Sequence, residues 1–223
     1  MKKEIIYSLK GIYREDYQIE GYRFGGGGEA GGGGEKSACI VGALRGNEIQ
    51  QLYICSQLVK ALKELEAHGA ISHNHEILVI PSVNRFSMNV GKRFWPTDNS
   101  DINRAFPGDV NGDTTKQIAG TLFDRIKGYS YGIHFASFYM PGDFIPHVKM
   151  MDTGFQSASL ANLFGLQYVV IRKPKPMDTV TLNYNWQMNG TNAFSIYTNS
   201  TDMIDEKSAR QAVSSVLRVF NRK

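Results

Sequence analysis

The stretch Ala38-Cys39-Ile40-Val41-Gly42-Ala43-Leu44-Arg45-Gly46-Asn47-Glu48 narrows the possible folds more than any other part of the chain. A short apolar run ends at a glycine-containing turn. Apolar residues then recur at Ile49, Leu52, Leu58, Val59, Leu62 and Leu65, close to a 3.6-residue period. That pattern predicts a buried strand, a tight turn and a long helix. Arg45 and Glu48 fall where the strand ends, and in open α/β sheets ligands bind at that carboxyl edge.

The same alternation continues on both sides. Residues 4 to 9 read as a short strand, and Ile12 to Tyr22 as a hairpin or edge strand. Eight glycines within residues 25–34 predict a flexible tether. The tract has no Lys-Ser/Thr ending and no strand directly before it, so it is not a phosphate-binding loop. His68-Gly69 reads as a helix end, and Glu76 to Val83 as the next buried strand. A loop from Asn84 to Asp113 follows, long enough to suggest a functional role. Thr114 and Gln117 read as a capping box opening a helix through Ile118, Leu122, Phe123 and Ile126. Tyr131 to Ala136 is strand-like, Phe138 to His147 a polar loop, and Ser157 to Phe164 helical with Gly165 at its end. Gln167 to Ile171 and Ala193 to Thr198 read as strands, and Asp205 to Asn221 as the last helix. Strands alternating with helices imply one α/β domain spanning residues 1–223, a three-layer αβα sandwich on a mostly parallel mixed sheet.

Composition excludes several classes. Apolar residues make up 42% and charged residues 21%, as in an ordinary globular chain. No apolar run approaches the roughly 20 residues needed to span a bilayer, and no secretory apolar segment follows Met1. Cys39 and Cys55 sit on the presumed core strand and helix, which reads as buried thiols and a cytoplasmic location. The net charge is +4, but basic residues are scattered among acidic ones apart from Arg172, Lys173 and Lys175. A nucleic-acid surface needs a concentrated basic face. A site for an anionic small molecule is the better use of the local excess.

The long loop contains Gly91-Lys92-Arg93 and then Asp101-Ile102-Asn103-Arg104-Ala105-Phe106-Pro107-Gly108. With the Gly46-Asn47-Glu48 turn, this resembles the succinylglutamate desuccinylase/aspartoacylase branch of the zinc carboxypeptidase superfamily. There the turn reads His-Gly-x-Glu, its His and Glu ligating zinc, and the loop reads Asp-Leu-Asn-Arg-x-Phe-Pro-Gly. The resemblance implies that Asn103 and Arg104 grip a substrate carboxylate and that Arg93 faces the scissile carbonyl. A guanidinium fork that stays charged suits that task. Tyr131-Gly132-Ile133-His134 resembles the segment carrying the third zinc ligand, which makes Glu48 and His134 the candidate metal ligands. Pro141 to His147 resembles the loop that follows, with His147 lining the pocket. His73 and His75 have metal-compatible spacing, but they fall where a solvated turn is expected.

Two positions depart from the family pattern. Arg45 stands at the first ligand His, and Tyr197, in Asn192 to Asn199, stands at the general-base Glu. A guanidinium has no lone pair for a metal, and a phenol with an ordinary pKa near 10 is a weak base at neutral pH. The resemblance therefore implies either a zinc-dependent deacylase acting on an amide or ester beside a carboxylate, or an inactive relative. In the second case Arg45, Arg93 and Arg104 bind a small carboxylate-bearing molecule or peptide. Neither reading involves nucleic acid or a membrane.

Overall fold

In the computed structural model, residues 1–11, 15–26 and 34–220 are described. Most of the glycine tract and part of the Ile12 to Tyr22 segment lie outside them. Eight strands form one sheet: β1 (Lys2–Leu9), β2 (Tyr17–Gly25), β3 (Glu35–Ala43), β4 (His75–Ser82), β5 (Tyr131–Phe138), β6 (His147–Met151), β7 (Tyr168–Arg172) and β8 (Asn192–Ser200). Their spatial order is β1-β2-β4-β3-β5-β8-β6-β7. The four central strands β4, β3, β5 and β8 run parallel, and β6 turns antiparallel to β8 before pairing in parallel with β7.

Burial of the central strands on both faces explains their near-continuous apolar runs. On one face Ala38, Ile40, Ile133, Phe135, Phe194 and Ile196 pack beneath α1 (Ile49–Ala67) and α5 (Glu206–Phe220). Ile54, Leu58 and Leu62 of α1 are essentially inaccessible, and burying each contributes about 1.5–3 kcal/mol. On the other face Cys39, Val41 and Ala193 meet α3 (Thr114–Ile126) and α4 (Leu182–Met188). The chain leaves β3 through α1 to one neighbour, β4, and returns through α3 to the other, β5. The carboxyl ends of β3 and β5 therefore flank a topological switch point, where open α/β sheets hold their ligands.

Several expected elements differ in detail. The helix starting at Thr114 is capped by Asp113, whose carboxylate accepts from Lys116 N at 2.9 Å, while Gln117 reaches back to the Gly112 carbonyl at 2.8 Å. An acceptor placed one residue earlier satisfies the free N–H groups of the first turn without a Thr114 cap. The long loop holds a short helix, α2 (Arg85–Asn89), and a 3₁₀ turn at Ile102–Arg104. Ala158–Phe164 is 3₁₀ rather than α-helical, closed by Gly165 at φ +62°. Two elements go unseen in the sequence. In β6 the buried positions Val148 and Met150 are too few to stand out, and the strand exists because β7 and β8 pair with it. In α4 the weak helix-formers Asn183 and Asn185 mask Leu182 and Trp186, which anchor it in the core; Trp186 Nε1 donates to Ile126 O at 3.2 Å. No helix among the described residues is long and apolar enough to cross a membrane.

Candidate functional site

Strand register assembles the site. Val41, His134, Ser195, Lys149 and Val170 are consecutive partners across β3, β5, β8, β6 and β7. Because the side-chain period of a strand is two, His134, Ser195 and Lys149 share one face. Each lies between residues whose side chains enter the α1/α5 core on the opposite face: Ile133 and Phe135, Phe194 and Ile196, Val148 and Met150. Tyr197 is two residues beyond Ser195 and shares its face. This polar patch floors a cavity of about 720 Å³, walled by the turn after β3, the long loop and the 3₁₀ turn at Pro176–Asp178.

Arg45, Glu48, Arg93, Asn103, Arg104, His134 and Tyr197 all line this cavity. His147 does not. It packs behind Tyr197, the two rings stacked with centroids 5.3 Å apart and 9° between planes, and its Nδ1 lies 3.0 Å from Ile145 O. His147 shares the β6 face of Lys149 but lies two residues earlier, opposite Tyr197 in the ladder, so it meets the Tyr197 ring and stays outside the cavity lining. His73 lies in an exposed turn, and Cys39 and Cys55 are buried free thiols.

Glu48 is 2% exposed and fully engaged. Its Oε2 accepts from Leu44 N at 2.8 Å and Arg45 N at 3.0 Å. Its Oε1 accepts from Arg45 Nη1 at 3.1 Å and from the Tyr139 hydroxyl. The turn that permits this needs Gly46, since a Cβ there would sit 2.2 Å from Lys92 O. Gly46 N donates to Arg93 O at 2.9 Å, which ties the long loop to the turn.

The Arg45 guanidinium also forks onto Asp101, with Nε 3.0 Å from Oδ1 and Nη2 2.8 Å from Oδ2. Asp101 Oδ1 accepts from Asn103 N at 3.0 Å as well, so it holds both the cation and the 3₁₀ turn. The two carboxylates outweigh burial and raise the Arg45 pKa above the ordinary guanidinium range. Arg45 is thus a permanent cation with four of its five N–H groups committed.

The remaining residues face the cavity differently. Arg93 carries its guanidinium 3.9 Å from the centre of the Tyr139 ring and 4.9 Å from that of Phe94, with no carboxylate partner among the described residues. Asn103 Oδ1 accepts from Leu182 N at 3.1 Å, and Arg104 Nη1 donates to Met177 O at 2.6 Å. His134 is buried, and its Nε2 lacks a partner among the described residues. Burial first, and the Arg45 charge second, push its pKa down to about 3, so the ring is neutral. Burial pushes the Tyr197 phenol up, and it stays protonated.

These residues do not fit a zinc ion. Among the described residues no group of three or more His, Cys, Asp or Glu side chains is placed to hold a metal. The carboxylate nearest such a role, Glu48, is spent on a guanidinium that offers no lone pair and adds a positive charge. A catalytic zinc needs three protein ligands.

The sequence left several lining groups without a role: Tyr139, Lys149, Asp178 and Asn183 line the cavity, as do Arg172 and Lys175 of the basic cluster. Asp101 was visible only as the first letter of its motif. Lys149 and Asn183 lie on the two elements that the sequence did not reveal.

The family model for the succinylglutamate desuccinylase/aspartoacylase catalytic domain matches residues 35–220. The chain belongs to this family. A curated relative, the N-alpha-acetyl-L-2,4-diaminobutyric acid deacetylase of Halomonas elongata, is 28% identical over 90 residues, covering 40% of this chain and 24% of the relative. Among solved structures, a succinylglutamate desuccinylase from Silicibacter sp. TM1040 superposes with a TM-score of 0.74 at 20% identity, over 96% of this chain and 63% of its own. A succinylglutamate desuccinylase/aspartoacylase from Rhodobacter sphaeroides does so with a TM-score of 0.74 at 18% identity, over 97% and 64%. A metallo-carboxypeptidase from Burkholderia cenocepacia gives a TM-score of 0.73 at 11% identity, over 98% and 63%. At these identities the structural likeness carries the fold. The chain spans less than two thirds of the length of these relatives.

Proposed function

We propose that this chain is a family member that binds a small carboxylate-bearing molecule at the carboxyl edge of its sheet without hydrolysing it through zinc. One observation carries the reading: Glu48 and Asp101 both close on the Arg45 guanidinium. By the family resemblance Arg45 stands at a metal-ligand position, so a fixed organic cation holds the place of the ion. Arg93 and Arg104, neither of them ion-paired among the described residues, are the groups that meet the ligand carboxylate, with Asn103 beside them. Arg45 acts through its neighbours, holding Asp101 and thereby the turn that carries Asn103 and Arg104.

Titration calorimetry with succinate and with N-acylated amino acids, together with zinc analysis of protein purified without added metal, tests the reading. The expected result is saturable carboxylate binding that weakens at least tenfold in Arg93→Gln, with less than 0.1 zinc per chain expected as an order of magnitude for a site lacking a third ligand. Stoichiometric zinc, or chelator-sensitive release of an acyl group, would overturn it and restore the deacylase reading.

A further inference from the structure

The lining of the cavity divides into two electrostatic regions. At the β3–β5 end Arg45 is neutralised by Glu48 and Asp101. At the β6–β7 end four cations surround one carboxylate, Asp178. Arg172 holds it bidentately, Nη1 at 2.6 Å from Oδ2 and Nη2 at 2.8 Å from Oδ1. The Lys175 backbone N–H donates to its Oδ2 at 2.7 Å, and the Lys175 side chain lines the same end of the cavity, where its charge acts on Lys149. Arg104 and Lys149 both sense its charge without forming an ion pair. The Arg172 fork, with further help from Arg104, holds the Asp178 carboxyl down to about 2, so it is charged at any working pH. One negative charge is thus set against four positive ones. Arg172 matches it, and Arg104, Lys149 and Lys175 have no counter-ion among the described residues.

Lys149 makes this imbalance informative. It is half-buried on the cavity floor, with Nζ 4.9 Å from the centre of the Tyr197 ring. Burial, then the charges of Arg172 and Lys175, lower its pKa from the ordinary amine range. A half-buried cation beside a ring face, with two like charges nearby and one carboxylate already held by Arg172, is an expensive arrangement unless a further anion joins it. A second unsatisfied group sits beside it. Asn183 is 8% exposed, its Nδ2 donates to Ser195 Oγ, and its Oδ1, an acceptor suited to a ligand hydroxyl rather than to an anionic oxygen, has no partner among the described residues. Ser195 and Lys149 are direct partners across β8 and β6.

A monocarboxylate supplies one charge and two oxygens to this end. That would leave most of the surplus in place. A phosphomonoester carries about −1.5 to −2 near pH 7 and presents three strongly accepting terminal oxygens. Arg104 can take one edge through its unused N–H groups, while Lys149 and Lys175 supply mobile point donors to the remaining oxygens. We infer that the β6–β7 end of the cavity is a phosphate subsite built from Arg104, Lys149 and Lys175 with Arg172–Asp178 as its frame, and that the ligand is a small phosphorylated carboxylic acid. The inference rests on the reading of the cavity as an anion-binding site. In such a ligand Arg93 and Asn103 hold the carboxylate, while Arg104, which meets the carboxylate of a simpler acid, turns to the phosphoryl group beside Lys149.

Calorimetric titration of the full chain with inorganic phosphate, with 3-phosphoglycerate and with succinate tests this. Phosphoglycerate is expected to bind at least tenfold more tightly than succinate, with inorganic phosphate competing for the same site. Lys149→Gln and Lys175→Gln should each bring the phosphoglycerate-to-succinate preference down to near one. Lys175 is exposed, so its variant carries the test should the floor variant fold poorly. Succinate binding as tightly as phosphoglycerate, or a preference untouched in Lys175→Gln, overturns the phosphate subsite while leaving carboxylate binding standing. Failure of all three anions to bind overturns both readings.

Discussion

Replacing Arg45 by Met removes the cation on which two carboxylates converge while keeping an apolar stem of similar length. Glu48 is then a charge at a position 2% exposed, still accepting from two backbone N–H groups and Tyr139 but without a counter-charge. Breaking one side of a buried pair costs about 3–5 kcal/mol. The retained hydrogen bonds, and Asp101 at 15% side-chain exposure, place the expected loss near 3 kcal/mol, the lower end of the roughly 3–5 kcal/mol range. For a chain of this size each kcal/mol lowers Tm by about 2–4 °C, so a fall of roughly 6–12 °C is expected by circular dichroism. The double variant Arg45→Met with Glu48→Gln separates charge from packing. The neutral amide that replaces the Glu48 carboxylate can keep its oxygen on the two backbone N–H groups and turn its nitrogen toward Tyr139. The pair should therefore recover about 1–2 kcal/mol relative to Arg45→Met, within the coupling range of residues in contact. A single variant within 1 kcal/mol of wild type, measured by urea unfolding against that roughly 3–5 kcal/mol range, would refute the argument. So would a double variant no more stable than Arg45→Met.

Arg45→His should raise zinc affinity over wild type by adding a neutral nitrogen beside Glu48 and His134, and adding Tyr197→Glu should be needed before any acyl hydrolysis appears; unchanged zinc binding by calorimetry counts against the ligand assignment. His134 is held neutral with a pKa near 3, below its unfolded value, so the unfolded chain binds the extra proton first as pH falls. Stability from this group is therefore present above about pH 6.5 and is lost toward lower pH, by about 2 kcal/mol at pH 5, from ~1.4 kcal/mol per pH unit. His134→Asn should flatten that slope, and equal losses between pH 7.5 and pH 5 in both proteins would rule out the cause. Gly46→Ala forces a Cβ to within 2.2 Å of Lys92 O and should shift the turn that holds Glu48, lowering Tm and carboxylate affinity together; retention of both would show the turn to be adaptable.

The sequence by itself determined the scaffold and one end of the site. The apolar run Ala38–Leu44 and the amphipathic residues after Ile49 needed no partner to announce a buried strand and a helix, because both periods are local. The family motifs likewise placed Glu48, Arg93, Asn103, Arg104 and His134 at strand ends and loops that line one cavity. What the sequence left open depended on distance in space. That Asp101, 56 residues away, closes on Arg45 follows only from the folded course of the long loop. That His147 stacks on Tyr197 while Lys149 stands opposite Ser195 is a matter of the register of β6 against β8, and a slip of one residue would turn both to the opposite face. The gathering of Arg104, Lys149, Arg172 and Lys175 around Asp178 joins a loop, two strands and a 3₁₀ turn that share no local pattern. Charge balance is a property of the assembled cavity, and only the tertiary structure could decide it.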